Sequence, residues 1–341
     1  MTRVASGRSG AEPAVKRPAQ MQLFVDAWDP SYGAGVETGD FVSGAGASEA
    51  RLELDVERDP AVWEPISPPP DVRAADVALL VDGVRRTDAR VWVGDETDVH
   101  PGLAASFAAG VVRCDLRRAT AEVITARVER AVFTPFTASG AIETSAGRYP
   151  VLAAKSGELP ALSGALQQQL QALESAVLAE SRDESTADEL LVADGPLRGR
   201  AGISRVLGYI KSHEKPYLKP PQSKVLTALR TGQRTPVFKL GTRWEQYTWY
   251  LRLPGQSGAP WSNLARIECS VELPPQAAIA LADLSMITLP RFAATAYKDP
   301  RAPQNLVPIA GLERRLRSML GDGRLLHRAL TLAAHRVPAG V

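Results

Sequence analysis

The hydrophobic pattern of this chain changes period twice. Between residues 77 and 116 it reads as strands: VALLV at 77–81 is continuously apolar, TDARVWV at 87–93 alternates, and GVVRCDL at 110–116 is largely apolar again. The connection Asp82-Gly83-Val84-Arg85-Arg86 has the length of a hairpin, so three consecutive antiparallel strands are expected. The stretch AEVITARVERAVFTPF at 121–136 fits strand or helix by period. From 159 to 181 the spacing becomes helical, with Leu162, Leu166, Leu170, Leu173 and Val177 three or four apart, which predicts an amphipathic helix. After an acidic linker at 182–188, the apolar run ELLVA at 189–193 predicts a strand that stops at Asp194-Gly195-Pro196. Strands are then expected at 203–210, 236–240, 246–253 and 264–271, and helices at 276–284, 289–297, 308–320 and 323–335. The β-β-β-α-β order predicts an α/β fold: a mixed sheet with helices packed on it and helices closing the chain.

Residues 1–20 show no periodicity and are expected to form a disordered leader. Weak alternation at 21–28 and 50–57, followed by Pro65, Pro68, Pro69 and Pro70, suggests an N-terminal β-rich extension over 21–74, ahead of a main domain at 75–335. With 341 residues, 45% of them hydrophobic, the chain can bury a large core. No window approaches the 18 or so uncharged apolar residues of a membrane span, and the first 20 residues lack the apolar stretch of a signal peptide, so a cytoplasmic location away from membranes is expected. The two cysteines, Cys114 and Cys269, lie in strand-like runs and are expected to be buried thiols. The four histidines show no zinc-binding spacing.

A net charge of +2 conceals an asymmetry. Residues 21–100 carry 17 acidic and 6 basic side chains, whereas 196–252 carry 12 basic and 2 acidic ones. Five of the 8 lysines (Lys211, Lys215, Lys219, Lys224, Lys239) fall in the second window. Such a window is either a phosphate-binding surface or a solvated face that balances the acidic half.

Motifs remove several enzyme classes. The chain has no G-x-x-x-x-G-K-[ST] loop, no G-x-G-x-x-G opening a helix, and no G-x-S-x-G elbow. What remains is acidic: Asp82 after the first core strand, Glu174 on the long helix, and Asp194 after the strand that follows it. If those two strands are parallel neighbours, Asp82 and Asp194 converge at one edge, and a helix packed on the sheet adds the third carboxylate. Three such groups repel unless divalent cations lie between them, and oxygen-only ligands suit magnesium or manganese. Each residue also has a plain alternative: Asp-Gly and Asp-Gly-Pro are turn sequences, and a helical Glu is an ordinary surface residue.

Taken in order, these segments resemble the NurA-domain nucleases. The resemblance rests on LVDG at 80–83, Glu174, LVADGPL at 191–197, VLGYIKS at 206–212, RIE at 266–268 and DPRAPQNLVPI at 299–309, within residues 75–330. Val84 stands where that family usually has Ser, and Ala302 and Ala310 stand near where archaeal members have Tyr and His. The resemblance implies a ribonuclease H-like fold and a manganese- or magnesium-dependent deoxyribonuclease. It would hold two ions through Asp82, Glu174, Asp194 and, fourth, Asp299, with Lys211 at the scissile region. It further implies 5′ to 3′ exonuclease and single-strand endonuclease action, a homodimer, and a HerA-type hexameric ATPase as partner. Under it, Lys211, Lys215, Lys219, Lys224 and Arg301 would bind DNA phosphates, and Tyr209, Tyr217 and Trp244 are candidates to stack on bases. A catalytically inactive scaffold that binds DNA or the ATPase is the rival expectation.

Overall fold

The computed structural model describes residues 50–94, 98–136, 140–182, 189–197, 204–211, 217–241, 245–255 and 261–335. The leader at 1–20, the first part of the extension, Lys215 and Trp244 lie outside the described residues. The strands are β1 (Arg51–Glu53), β2 (Val77–Gly94), β3 (Val99–Asp115), β4 (Thr120–Thr134), β5 (Ala141–Thr144), β6 (Gly147–Ala153), β7 (Leu190–Asp194), β8 (Val206–Ile210), β9 (Phe238–Gly241), β10 (Glu245–Arg252) and β11 (Leu264–Ser270). The helices are α1 (Leu159–Ser181), α2 (Lys224–Ala228), α3 (Pro275–Thr288), α4 (Val307–Met319) and α5 (Gly323–Ala334).

All strands join one sheet in the order β1-β9-β10-β11-β8-β7-β2-β3-β4-β6-β5. At its centre β2, β3 and β4 form an antiparallel meander, while β7 runs parallel to β2 and β8 parallel to β7. This central order, β4-β3-β2-β7-β8 with α1 crossing between the meander and β7, is the ribonuclease H-like arrangement.

The two faces of the sheet follow from strand alternation. Leu79, Val81, Phe107, Val111, Leu191 and Ala193 point to one side, where the α1 stripe of Leu162, Leu166, Leu170, Leu173 and Val177 covers them. Each such burial contributes about 1.5–3 kcal/mol. Ala78, Leu80, Val84, Leu190, Val192 and Leu207 point to the other side, beneath α3 and α4 through Ala278, Leu281, Ile309, Leu312 and Leu316.

Two departures from the sequence pattern bear on the site. The expected strands at 77–81 and 87–93 are one strand of 18 residues, so Asp82-Gly83 is not a hairpin turn. The Asp-Gly signal is overridden because β2 pairs with β3 continuously through Asp82↔Gly110 and Gly83↔Ala109, and the pairing runs on to Gly94↔Val99. The only interruption is a bulge at Asp88, whose buried carboxylate accepts hydrogen bonds from Ser106 and Tyr149 and pairs with Arg86. The helix expected at 289–297 is a short 3-10 turn, Leu289–Phe292, followed by a loop. Cys114 and Cys269 are buried, and burial pushes their thiols up to about 11 and about 12. No helix among the described residues is long and apolar enough to cross a membrane.

Candidate active site

Asp82 lies in mid-strand but at the level where its parallel neighbour ends. The last paired residues are Val81 and Ala193, and one step further Asp82 and Asp194 stand side by side. Neighbouring strands are about 4.8 Å apart, and both residues continue the alternation of Leu80 and Val192. The two carboxylates therefore share the α4 face. In β8, Leu207 and Tyr209 occupy the same face, which places Lys211 there as well, and its Nζ lies 2.5 Å from Asp194 Oδ2.

Glu174 approaches from the opposite face. It follows Leu170 by one turn on α1, and a β-carbon built at Gly83 would meet Glu174 Oε1 at 2.5 Å and Leu170 Cδ1 at 2.7 Å. Gly83 is thus the opening through which the helix brings its carboxylate up to β2. Gly83→Ala is expected to cost about 1–3 kcal/mol by overpacking. The cost should shrink in a Glu174→Ala background, which chemical denaturation of the four proteins would measure.

Asp82 feels all of these groups. It is half-buried, accepts the Gly83 N–H at 2.8 Å, and its carboxyl is held well above the usual carboxylate range. Burial is the main cause, followed by the negative charge of Asp194; Glu174 and Glu313 add to the rise, and Lys211 opposes it. Glu313, on α4, is an acid the sequence pattern did not single out. It accepts from Arg301 at 2.9 Å and Arg317 at 2.7 Å, and these bonds outweigh burial to lower its own pKa.

Asp299 joins the cluster indirectly. Its Oδ2 accepts from Asn305 Nδ2 at 2.5 Å, its Oδ1 accepts the Arg301 N–H at 2.8 Å, and Asn305 Oδ1 in turn accepts from Lys211 at 3.0 Å. Arg301 is half-buried, and Glu313, Asp299 and Asp194 raise its pKa against the burial that disfavours its charge. Tyr209 is fully buried and its hydroxyl donates to the Gln304 carbonyl at 2.7 Å, so it pegs the segment carrying Asn305 to the sheet and does not offer a ring to a base. Tyr217 is half-buried under the Arg266 guanidinium, and Trp249 is a core residue whose Nε1 donates to Ser285.

The basic window divides. Lys219 and Lys224 are exposed, whereas Lys239 pairs with Glu53, Arg234 is buried between Glu57 and Asp283, and Arg252 donates to the Ser262 and Leu226 carbonyls. Glu268, within RIE, is a buried anchor that accepts the Leu197 N–H at 2.7 Å and pairs with Arg266.

The cluster's fit to a divalent cation can be judged from its donors. They are carboxylate oxygens only, which suit a hard cation; Asp194 and Glu174 act on Asp82 with Lys211 opposing them, while Glu313 is already held by Arg301 and Arg317. As the side chains stand, no group of three or more His, Cys, Asp or Glu among the described residues is arranged to hold an ion; Asp194 is engaged by Lys211. In donor chemistry the residues fit such an ion, with Asp194 reached by displacing an ammonium on a flexible stem.

No family profile matches the chain, and no curated protein matches it. Among solved structures, it is similar to the NurA nuclease from Sulfolobus solfataricus at 11% identity and a TM-score of 0.47, over 92% of this chain and 99% of that one. It is also similar to human ENDOV, at 16% identity and a TM-score of 0.35 over 72% and 84% of the two chains. For endonuclease V from Bacillus subtilis the values are 13% and 0.35, over 74% and 82%.

Proposed function

We propose that the chain is a divalent-metal-dependent nuclease acting on DNA. The observation that carries this reading is Asp82 and Asp194 side by side on two parallel strands, with Lys211 on Asp194 and Glu174 brought up to β2 from α1 near enough for its charge to act on Asp82. Asp82, Asp194 and Glu174 would hold manganese or magnesium; such ions, a pair in the fullest form of this reading, activate water and stabilise the leaving oxygen of a phosphodiester. Asp82 and Asp194 supply fixed oxygens from a paired sheet. Glu174 supplies an adjustable one from α1, and Gly83 leaves it room. Lys211, with two of its three N–H groups on Asp194 and Asn305, has a third for a phosphate oxygen. Asp299 acts in this scheme through Asn305 and not as a direct ligand.

The exposed Lys219 and Lys224 would track the backbone of the strand, together with Lys215. Arg301 would add a guanidinium beside the acids. The resemblance in sequence motifs extends the proposal to 5′ to 3′ exonuclease and single-strand endonuclease action, a homodimer, a cytoplasmic setting in DNA end processing or defence, and a HerA-type ATPase as motor.

The test is degradation of linear duplex and single-stranded DNA with Mn²⁺, with Mg²⁺ and with EDTA. Breakdown that needs metal and stops with EDTA is expected, with stimulation by the ATPase. A gel shift without cleavage under every condition would favour the rival, a DNA-binding scaffold. That rival draws on the engagement of Asp194 by Lys211 and the lack of a ready three-acid ion site among the described residues.

A further inference from the structure

Lys211 is gripped by two residues more than 100 positions apart. Asp194 Oδ2 lies 2.5 Å from Nζ, and Asn305 Oδ1 lies 3.0 Å from it. Asn305 is fully buried, and its neighbours dictate how its amide is turned. Asp299 only accepts, so it must face the NH₂ group, which donates to Asp299 Oδ2 at 2.5 Å; the carbonyl oxygen is thereby aimed at the ammonium. A flipped amide would set NH₂ against ammonium and carbonyl against carboxylate. The segment around it is pinned: Asn305 N donates to the Arg301 carbonyl at 3.0 Å, and Tyr209 donates to Gln304. Acceptors and donors therefore alternate from Asp299 through Asn305 and Lys211 to Asp194, the carboxylate level with Asp82.

We propose that this row holds the Lys211 ammonium on Asp194 as a built-in counter-ion that competes with a divalent cation for that carboxylate, with Asn305 as its positioning residue. The proposal rests on the reading of the acidic cluster as a cation site. A tethered ammonium neutralises one of the clustered charges, which lets Asp82 and Asp194 fold side by side, and it raises the free cation concentration needed to engage them. Its four-carbon stem lets it move off without backbone change.

Calorimetric titration of Mn²⁺ into the full chain without DNA tests this, using wild type, Lys211→Met, Asn305→Leu and the double variant. Lys211→Met should bind Mn²⁺ about tenfold or more tightly than wild type. Asn305→Leu, close in shape to Asn, should tighten binding by a smaller factor. The double variant should bind no more tightly than Lys211→Met, because Asn305 acts through Lys211. The thermal midpoint of Lys211→Met should also rise more on adding Mn²⁺ than that of wild type. A residue with a purely structural role would weaken binding when replaced, so the sign of the change separates the two.

Unchanged or weaker affinity in Lys211→Met, additive effects in the double variant, or no Mn²⁺ binding by any of the proteins would overturn the proposal. Should Lys211→Met fail to fold, Asn305→Leu decides alone: tighter binding supports the counter-ion, and unchanged or weaker binding overturns it. Absence of DNA cleavage by wild type would instead count against the nuclease reading, leaving the Mn²⁺ affinities to judge the counter-ion.

Discussion

Asp82→Asn is expected to lower metal-dependent DNA cleavage by about 10³-fold while leaving the protein at least as stable as wild type. The two effects have opposite signs for one reason. Burial and the charges of Asp194, Glu174 and Glu313 all disfavour an ionised Asp82, so forming its carboxylate is a cost to the fold. The neutral amide carries no such cost and can still accept the Gly83 N–H. It also removes the charge that would attract a cation. Parallel measurement of cleavage rate and denaturation midpoint checks both. Retained cleavage would exclude Asp82 from the chemistry, and lost cleavage with a lowered midpoint would assign the loss to the fold.

Arg234→Met should destabilise the protein by about 3–5 kcal/mol, the largest stability effect expected of a single substitution here. The side chain is 1% exposed and its guanidinium is surrounded by acceptors. Nη1 and Nη2 meet the two Glu57 oxygens at 2.7 and 2.8 Å, and Nη2 and Nε meet Asp283 Oδ1 at 2.6 and 3.1 Å. Removing the cation leaves two acids packed together without a partner, and Glu57 is fixed further by the Val237 N–H. Because Glu57 belongs to the segment after β1 and Asp283 to α3, the loss should loosen the β1 edge of the sheet and α3 together. A change below about 1 kcal/mol in urea denaturation would contradict this.

Arg234 also shows where the sequence was opaque. It lies in the basic window and counts there as a candidate for phosphate binding, yet its charge is spent inside the protein. Nothing local marks the difference, because Glu57 and Asp283 are distant in the chain. Helix α1 was readable to its ends because five apolar residues at helical spacing face one sheet, a property written in neighbouring positions. The acidic pair was readable because strand order alone brings Asp82 level with Asp194. Asp82-Gly83 misled as a turn because its strand is held by partners on both sides, which outweigh the local preference of the dipeptide. Tyr209 misled as a stacking ring because a five-residue apolar strand does not reveal that every one of its residues is buried. Glu313 and Asn305 carried no periodic signal; what matters about each is a residue it meets from another element.

The unbroken course of β2 also limits where the site can adapt. A carboxylate at a strand end can shift when the following loop rearranges, but Asp82 has paired backbone before and after it, against Gly110 and Ala109 on one side and β7 just behind. On the nuclease reading, adjustment to a substrate would then fall to the flexible stems of Glu174 and Lys211 and to the segment ahead of α4, while Asp82 serves as the immovable reference against which they are aligned.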